Sequence, residues 1–265
     1  MKLISLNVAA FEKNNYKLSQ FLAEQCADIL TLQEVIRRVD TDSNIDSISI
    51  DSINESTPKL TESFFAPFWV LSKFELNEFH GEDHFEYDFE GKVEFGNYIK
   101  TKYPIIKGQN IFVQNHLTYV TDWSRWPEED YRSVQVVDLN TEDKKLRVLN
   151  YHGIWSKDKM GTEKTLEACK TIKQLALEAE CPSIIVGDFN LFPDTPSISL
   201  FKPELISLVD QFNIKTTRPA SNELSDKLRN VVDYIFVTKD IKINDFKVLN
   251  TDVSDHLPLI LDFNL

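Results

Sequence analysis

Polar side chains that could take part in catalysis stand beside four short hydrophobic segments. The segments LISLN, ILTLQE and SIIVGD end in Asn7, Glu34 and Asp188, and the segment DHLPLIL carries His256 just before its apolar run. Ligand sites of sheet proteins gather at strand ends, so one shared centre would explain all four positions. Carboxylates, an amide and an imidazole brought together in this way could bind a divalent cation and hydrolyse a phosphoester bond.

Such a hydrolysis needs a divalent cation, a positioned water and donors for the charge that grows on the oxygens. Glu34 is the best candidate metal ligand, because one or two protein carboxylates plus waters usually hold Mg²⁺. Asn7 could give the same ion a neutral oxygen or give the phosphate a donor. Asp255 could add a metal contact or a second water-binding carboxylate. A solvent-facing Glu34 and a turn role for Asn7 are the structural alternatives.

Asp188 and Asn190 lie two residues apart, so in an extended stretch they point to the same side. The carboxylate could then hold the attacking water while the amide donates to a phosphoryl oxygen, with an Asx-turn as the structural alternative. His256 suits a protonated imidazole that touches the phosphate, and it needs an acidic partner to stay charged near neutral pH. Asp233 is the expected partner, because a carboxylate amid apolar neighbours is costly unless it is paired.

Three further residues are candidates for contact with the substrate. His152 ends the segment NYH, at the end of another expected strand, and could contact the phosphate or be a structural histidine. Arg132 and Trp155 could line the substrate cleft, although packing in the core suits them at least as well.

The hydrophobic pattern predicts many strands and few helices. Strands are predicted over residues 2–8, 29–32, 96–100, 132–139, 146–151, 231–237, 243–249 and 259–263, and helices over 16–26 and 162–179. Residues 40–62 are polar and hold no single period, which indicates a mobile insertion, with a short helix or edge strand as the alternative. Because no Pro/Gly-rich linker divides the chain, residues 1–265 are expected to form one domain of two packed sheets with helices outside.

Composition narrows the function classes. The 265 residues suffice for a substantial core, and 42% hydrophobic residues exclude a wholly disordered chain. The chain lacks a signal peptide, an apolar run of the roughly 20 residues that span a membrane, and metal-type cysteine spacing, so a cytoplasmic protein without membrane contact is expected. The net charge of −13 disfavours tight binding of duplex nucleic acid and favours a small phosphorylated substrate or a short single strand.

Six motifs together resemble the endonuclease/exonuclease/phosphatase superfamily, which has the DNase I-like fold. In chain order they are SLN, LQEV, NYH, GDFN, VDYIF and SDH, and they run from residue 5 to residue 256. Each motif is common alone, but all six in this order are specific, and the compact sequence is similar to small bacterial members. The resemblance implies a four-layered α/β sandwich of two packed mixed β-sheets flanked by helices, with phosphoester cleavage that depends on Mg²⁺ or Mn²⁺.

The resemblance also implies a role for each residue that matches a motif. It places three residues at the metal or its water: Asn7, Glu34 and Asp255. It assigns the handling of the phosphate, the attacking water and the imidazole to five catalytic residues: His152, Asp188, Asn190, Asp233 and His256.

The expected activity is that of a Mg²⁺-dependent phosphodiesterase with nuclease-like chemistry on a small or single-stranded substrate. The first alternative is a phosphomonoesterase of the inositol-phosphatase type. Because a monoester carries more charge, its pocket should add cations, for which Lys100, Lys102 and Arg132 are candidates. The least favoured alternative is a catalytically silent binding protein, and the intact set of motifs argues against it.

Overall fold

The structure is a computed structural model that describes residues 1–9, 15–39, 49–75, 88–115, 118–120, 131–142, 144–220 and 230–265. The strands are β1 (Lys2–Asn7), β2 (Ile29–Arg38), β3 (Glu62–Glu75), β4 (Asp88–Thr101), β5 (Ile105–Gln114), β6 (Thr118–Val120), β7 (Arg132–Thr141), β8 (Lys144–His152), β9 (Ser183–Asp188), β10 (Ile206–Ser207), β11 (Asp233–Val237), β12 (Lys242–Val248) and β13 (Leu259–Asn264). The helices are α1 (Asn15–Gln25), α2 (Ile50–Ser56), α3 (Glu163–Leu177), α4 (Pro196–Ser199) and α5 (Leu208–Gln211).

These strands form two sheets. One sheet has the strand order β12-β13-β1-β2-β4-β3-β6, and the other has the order β10-β11-β9-β8-β7-β5. Both sheets are mixed, because β1 runs parallel to β2 and β8 runs parallel to β9, while the neighbouring pairs β1–β13 and β7–β8 are antiparallel.

Three hydrophobic clusters separate four layers. The central cluster lies between the two sheets and joins residues such as Leu3 and Ile184. A second cluster packs α1, through Leu18, on the outer face of the first sheet. The third packs α3, through Ile172, on the outer face of the second sheet. The predicted four-layered α/β sandwich with two packed mixed sheets is thereby confirmed.

The expected polar insertion at residues 40–62 contains a helix. Ser49 caps α2 through a reciprocal pair of hydrogen bonds with Ser52. Ile53 of this helix is buried against the first sheet, and Asn54 accepts a hydrogen bond from the Tyr98 hydroxyl at 2.8 Å. In its described part, residues 49–62, the segment thus includes the short helix that the sequence analysis gave as the alternative, whereas mobility of the insertion stays a prediction. Residues 40–48 lie outside the described residues.

The space between the sheets changes from apolar to polar toward one end. Along β1, Leu3 belongs to the central cluster, whereas Ser5 and Asn7 continue the same face as buried polar side chains. Along β8, the same face changes from Val148 through Asn150 to His152. Because the strands pack face to face, their polar ends meet at one edge of the sandwich.

Buried amides join the two sheets just below that edge. Gln33 Nε2 donates to Asn150 Oδ1 at 2.6 Å, across the space between β2 and β8. Asn150 Nδ2 donates to Gln135 Oε1 at 3.0 Å and to the backbone oxygen of Leu32 at 2.9 Å. Such paired buried amides fix the relative positions of the strands, because an unmatched partner would be costly.

β2 does not end where the sequence predicted. It continues through Gln33 and Glu34 to Arg38, and its register against β4 shifts between Leu32 and Val35. Glu34 lies in this β-bulge with a left-handed φ of 59°. The bulge turns the Glu34 side chain away from the regular alternation of the strand.

None of the helices in the described part of the chain is long and apolar enough to cross a membrane.

Gly187, just before Asp188, is a position where only glycine fits. Its φ is 138°, and a Cβ there would lie 2.0 Å from the Tyr151 carbonyl oxygen of the neighbouring strand. We expect Gly187→Ala to lower the free energy of unfolding by ~2 kcal/mol or more, as measured by urea denaturation. Gly108→Ala is the matched control, because its Cβ would meet only the Phe64 side chain at 3.0 Å. Equal losses in the two variants would contradict the close approach at Gly187.

Candidate active site

Asp188 ends β9 at the centre of a group of polar side chains from several strands. Its Oδ1 accepts a hydrogen bond from the Asn190 backbone N–H at 2.8 Å, and its Oδ2 accepts one from Asn7 Nδ2 at 3.1 Å. The Nε2 atoms of His256 and His152 lie 3.5 Å and 3.8 Å from Oδ2. The carboxylate is therefore fixed in position and surrounded by donors.

Asp188 is held in its ionised form. Burial alone would raise its pKa, but the charge of His256, with those of Arg218 and Lys159, holds the pKa of this carboxyl well below its usual range. A carboxylate that stays charged at neutral pH can orient a water molecule and accept a proton from it.

Asp233 and His256 form a buried ion pair beside Asp188. Imidazole Nδ1 lies 2.9 Å and 3.0 Å from the two carboxylate oxygens of Asp233. Burial and the charge of Arg218 lower the pKa of His256, but the carboxylates of Asp233, Asp255 and Asp188 outweigh them and raise it to about 9. His256 is thus an imidazolium at neutral pH, and its Nε2 lies 3.5 Å from Asp188 Oδ2.

Glu34 and Asn7 extend the site on the other side of Asp188. Asn7 Nδ2 donates to Glu34 Oε1 at 2.9 Å, and Asn7 Oδ1 accepts from the Ala9 N–H at 3.1 Å. Burial, followed by repulsion from Asp255, raises the pKa of Glu34 despite the hydrogen bond from Asn7. Carboxylates that repel one another in a buried place suit a divalent cation, which would favour their charged forms.

Asp255 faces the same centre but is also engaged by a cation. Its Oδ2 lies 2.8 Å from Arg218 Nη1, and its Oδ1 lies 3.9 Å from His256 Nε2. The side chain keeps 27% of its surface exposed, so it can still reach a water or an ion at the mouth of the site.

Asp188, Asp233 and His256 also offer ligand atoms within 4.8 Å of one another, close enough to share an ion. We do not assign the metal to this group. The pKa of His256, about 9, favours the imidazolium at neutral pH, and an imidazolium has no lone pair for a metal. Glu34 and Asn7, which adjoin Asp188 without such a cation, fit a divalent ion better.

His152, by contrast, is neutral. Burial and then the charge of Arg132 lower its pKa well below the usual value, because the ring is enclosed and packs edge-on against Phe68 at 5.9 Å. Its Nε2 lies 3.5 Å from Glu34 Oε1, and its Nδ1 has no hydrogen-bond partner among the described residues. A neutral imidazole at this position can donate one hydrogen bond into the centre.

Arg132 and Trp155 lie behind and beside this group. Arg132 is 2% exposed, and its Nε donates to the Gly153 oxygen at 2.8 Å, so it supports the chain just after His152. Trp155 is half-buried, and the Lys159 Nζ lies 5.1 Å from its ring centroid. Direct contact of Arg132 or Trp155 with a substrate stays a prediction.

Two basic residues at the site carried no sequence signal. Lys159, in the loop between β8 and α3, donates through Nζ to Asn190 Oδ1. Arg218, in the segment TTRP, binds Asp255. Neither residue belongs to a periodic pattern or a motif that could have placed it at the site. The short distance in sequence between His152 and Lys159 was the one feature that could have indicated Lys159.

The two lysines that the sequence suggested for a monoester pocket, Lys100 and Lys102, lie elsewhere. Lys100 Nζ donates to the Asn54 backbone oxygen of α2, on the outer face of the first sheet. Lys102 pairs with Asp28 at 2.6 Å. Neither joins the group around Asp188.

The comparisons with known proteins agree with this fold. A sequence profile described as Endonuclease/Exonuclease/phosphatase family matches residues 4–256. An endonuclease/exonuclease/phosphatase from Beutenbergia cavernae DSM 12333 is 17% identical with a TM-score of 0.77, and the match covers 100% of this chain and 71% of that chain. No match is found among curated proteins.

Two further solved structures carry functional names. D. rerio TDP2 complexed with single strand DNA product is 14% identical with a TM-score of 0.66, over 100% of this chain and 99% of that chain. The mannosyl-6-phosphatase Bt3783 of Bacteroides thetaiotaomicron VPI-5482 is 14% identical with a TM-score of 0.64, over 100% of both chains. At these identities the likeness shows the fold alone.

The profile match over nearly the whole chain shows that this protein belongs to the endonuclease/exonuclease/phosphatase family. Members of this family are phosphoester hydrolases that generally depend on a divalent metal, and the chain is an enzyme of that class.

The ion pair predicts a pH dependence. Because the folded pKa of His256, about 9, lies above the ordinary histidine pKa of 6.5, its protonation stabilises the fold. That contribution is complete below pH 6.5 and is lost as the pH rises through about 9. In metal-free protein we expect the NMR signal of this imidazole to titrate near pH 9. Asp233→Asn should move the midpoint down toward the ordinary value, and an unchanged midpoint would mean that Asp233 does not hold the proton.

Proposed function

We propose that this protein is a Mg²⁺- or Mn²⁺-dependent phosphodiesterase with nuclease-like chemistry on a small or single-stranded substrate. The observation that carries the proposal is the buried, ionised carboxylate of Asp188 beside the imidazolium of His256, 3.5 Å away. A fixed base next to a fixed cation suits attack by water on a phosphoryl group.

Asp188 orients the attacking water and takes its proton on Oδ2. The Asn190 N–H holds the other oxygen, Oδ1, at 2.8 Å, so the carboxylate cannot rotate away from the water. Asn190 has a left-handed φ of 56°, which turns its side chain back toward the site. Its Nδ2 makes only a long contact of 3.3 Å with the Gly153 oxygen and is available to a phosphoryl oxygen.

His256 stabilises the negative charge that grows on the phosphoryl oxygens. Asp233 holds its Nδ1, so the Nε2–H keeps a fixed direction and the ring stays charged. His152, at the end of β8, adds a second, neutral donor. The groups are preorganised, which is the main source of stabilisation in such reactions.

Glu34, Asn7 and Asp255 are the residues that would hold the divalent cation. The raised pKa of Glu34, caused by burial and then by Asp255, fits this assignment, because a cation would reverse both effects. When bound, the cation screens the phosphate and offsets charge on the leaving oxygen.

Two observations bear on the substrate. The net charge of −13 opposes binding of a long duplex, and one structural relative, D. rerio TDP2, has been solved complexed with single strand DNA product. The second candidate is phosphomonoester hydrolysis, which the buried cations Lys159 and Arg218 favour.

The three cysteines are free thiols, which supports the expected cytoplasmic location.

The catalytic assignment predicts the effect of single substitutions. Three variants should each lower kcat by ~100-fold or more. Asp188→Asn removes the base, His256→Ala removes the charged donor, and Glu34→Ala removes the metal ligand. Circular dichroism should show that the fold persists. Asp245→Asn, on the exposed strand β12, is the matched control and should keep wild-type kcat. Near-wild-type turnover in any of the three variants would remove that residue from the mechanism.

The metal assignment predicts a reversible loss of activity. Treatment with EDTA should abolish hydrolysis of bis-(p-nitrophenyl) phosphate, and added Mg²⁺ or Mn²⁺ should restore it. Glu34→Ala should need a metal concentration at least ~10-fold higher for half-maximal activity. Cleavage of p-nitrophenyl phosphate in place of the diester would select the monoesterase, and full activity in EDTA would contradict the metal site.

A further inference from the structure

Lys159 and Arg218 are buried cations at the site that the mechanism above does not use. Lys159 is 5% exposed and Arg218 is 8% exposed. Burying a charged side chain costs free energy unless its donors are filled. The partners of both residues therefore need to be accounted for.

Lys159 fills only part of its hydrogen-bonding capacity. Its ammonium group has three donors and gives one to Asn190 Oδ1. The ring of Trp155 covers another side, at 5.1 Å from Nζ. Among the described residues, no carboxylate forms a salt bridge with Nζ. The residue has a left-handed φ of 55°, so the loop accepts an unfavourable backbone conformation where it brings this cation to Asn190.

Arg218 is likewise only partly matched. Its Nη1 donates to the carboxylate and the backbone oxygen of Asp255, at 2.8 Å and 3.3 Å. Its Nε is buried and has no hydrogen-bond partner within the described ranges. A buried, unpartnered guanidinium donor is uncommon and indicates a missing acceptor.

The two cations adjoin the same centre through their hydrogen-bond partners. Lys159 contacts Asn190, whose N–H donates to Asp188, and Arg218 contacts Asp255, whose Oδ1 lies 3.9 Å from His256 Nε2. Burial is the main cause that lowers the pKa of Lys159, to about 8. The charges of Arg218 and Arg132 lower it further, whereas the carboxylate of Asp188 raises it. An anion bound between these groups would relieve that repulsion and fill the open donors.

The open donors indicate which anion fits. Lys159 Nζ gives one of its three donors to Asn190, and Arg218 Nε has no partner among the described residues. Two buried cations with open donors match a doubly charged phosphate better than a singly charged diester.

We propose that Lys159 and Arg218 form a subsite for a terminal, doubly charged phosphate group of the substrate. This rests on the proposed function, which supplies the neighbouring phosphoester centre. The dianion has two sources: it is the scissile phosphate of a monoester, or it is a terminal phosphate next to a scissile diester.

The first test measures binding without turnover. Calorimetry with Mg²⁺ present compares inorganic phosphate with dimethyl phosphate, a singly charged diester. Wild-type protein should bind phosphate at least ~10-fold more tightly. Lys159→Gln keeps a donor for Asn190 but removes the charge, so it should lose most of this preference, whereas Lys159→Arg should keep it. Lys157→Met, an exposed position in the same loop, is the matched control and should behave as wild type.

Kinetics then separate the two sources. If the dianion is scissile, Lys159→Gln lowers kcat/KM for p-nitrophenyl phosphate by ~10-fold or more, and wild-type protein already treats thymidine dinucleotides with and without a 5′-phosphate alike. If it is a neighbouring phosphate, wild-type protein prefers the 5′-phosphorylated dinucleotide and the variant loses that preference. Either result supports the subsite.

Two results would overturn the subsite. The first is wild-type protein that binds inorganic phosphate and dimethyl phosphate equally tightly, and this result does not depend on how stable the variants are. The second is a folded Lys159→Gln variant that keeps the phosphate preference. These outcomes are independent of the catalytic proposal. If Asp188→Asn loses hydrolysis, the catalytic proposal keeps its support even when the subsite is overturned. Conversely, a phosphate preference lost in Lys159→Gln would stand in a protein that hydrolysed nothing.

Discussion

Asp188 carries a negative charge at a position with 1% exposure, and such a charge is tolerable only because other groups compensate for it. The amide of Asn7, at the end of β1, and the imidazolium of His256, in the segment just before β13, provide that compensation. Asp233 in turn keeps His256 charged. The same contacts therefore stabilise the buried carboxylate and give it the fixed orientation that the proposed proton transfer from water requires.

The strands can deliver these groups because the two sheets are joined by polar side chains as well as apolar ones. Gln33 and Asn150 bond across the interface at 2.6 Å, directly beneath Glu34 and His152. Farther from the site the same faces are apolar and form the central core. The interface thus combines hydrophobic stabilisation at one end with directional hydrogen bonds at the other, where positions must be exact.

The local conformations near the site are unfavourable for their residue types. Glu34, Asn190 and Lys159 all have positive φ, with values of 59°, 56° and 55°. Each of these backbones turns a side chain toward Asp188 or its neighbours, and the surrounding fold outweighs the local cost. Gly187 serves the same end differently, since its missing side chain lets β9 approach β8 closely before Asp188.

Sequence patterns by themselves predicted two packed sheets with helices outside, because alternating and helical periodicities depend only on local residue types, whereas the four layers were implied by the resemblance of six motifs to a known family. They also named Asn7, Glu34, Asp188 and His256 as candidates, since each stands beside a hydrophobic run in a recognisable motif. Tertiary structure decided the rest. The bulge that holds Glu34 depends on pairing with β4, and α2 is held by packing on the sheet. Lys159 and Arg218 reach the site through loops that obey no period, so only the folded chain brings their charges to Asp188.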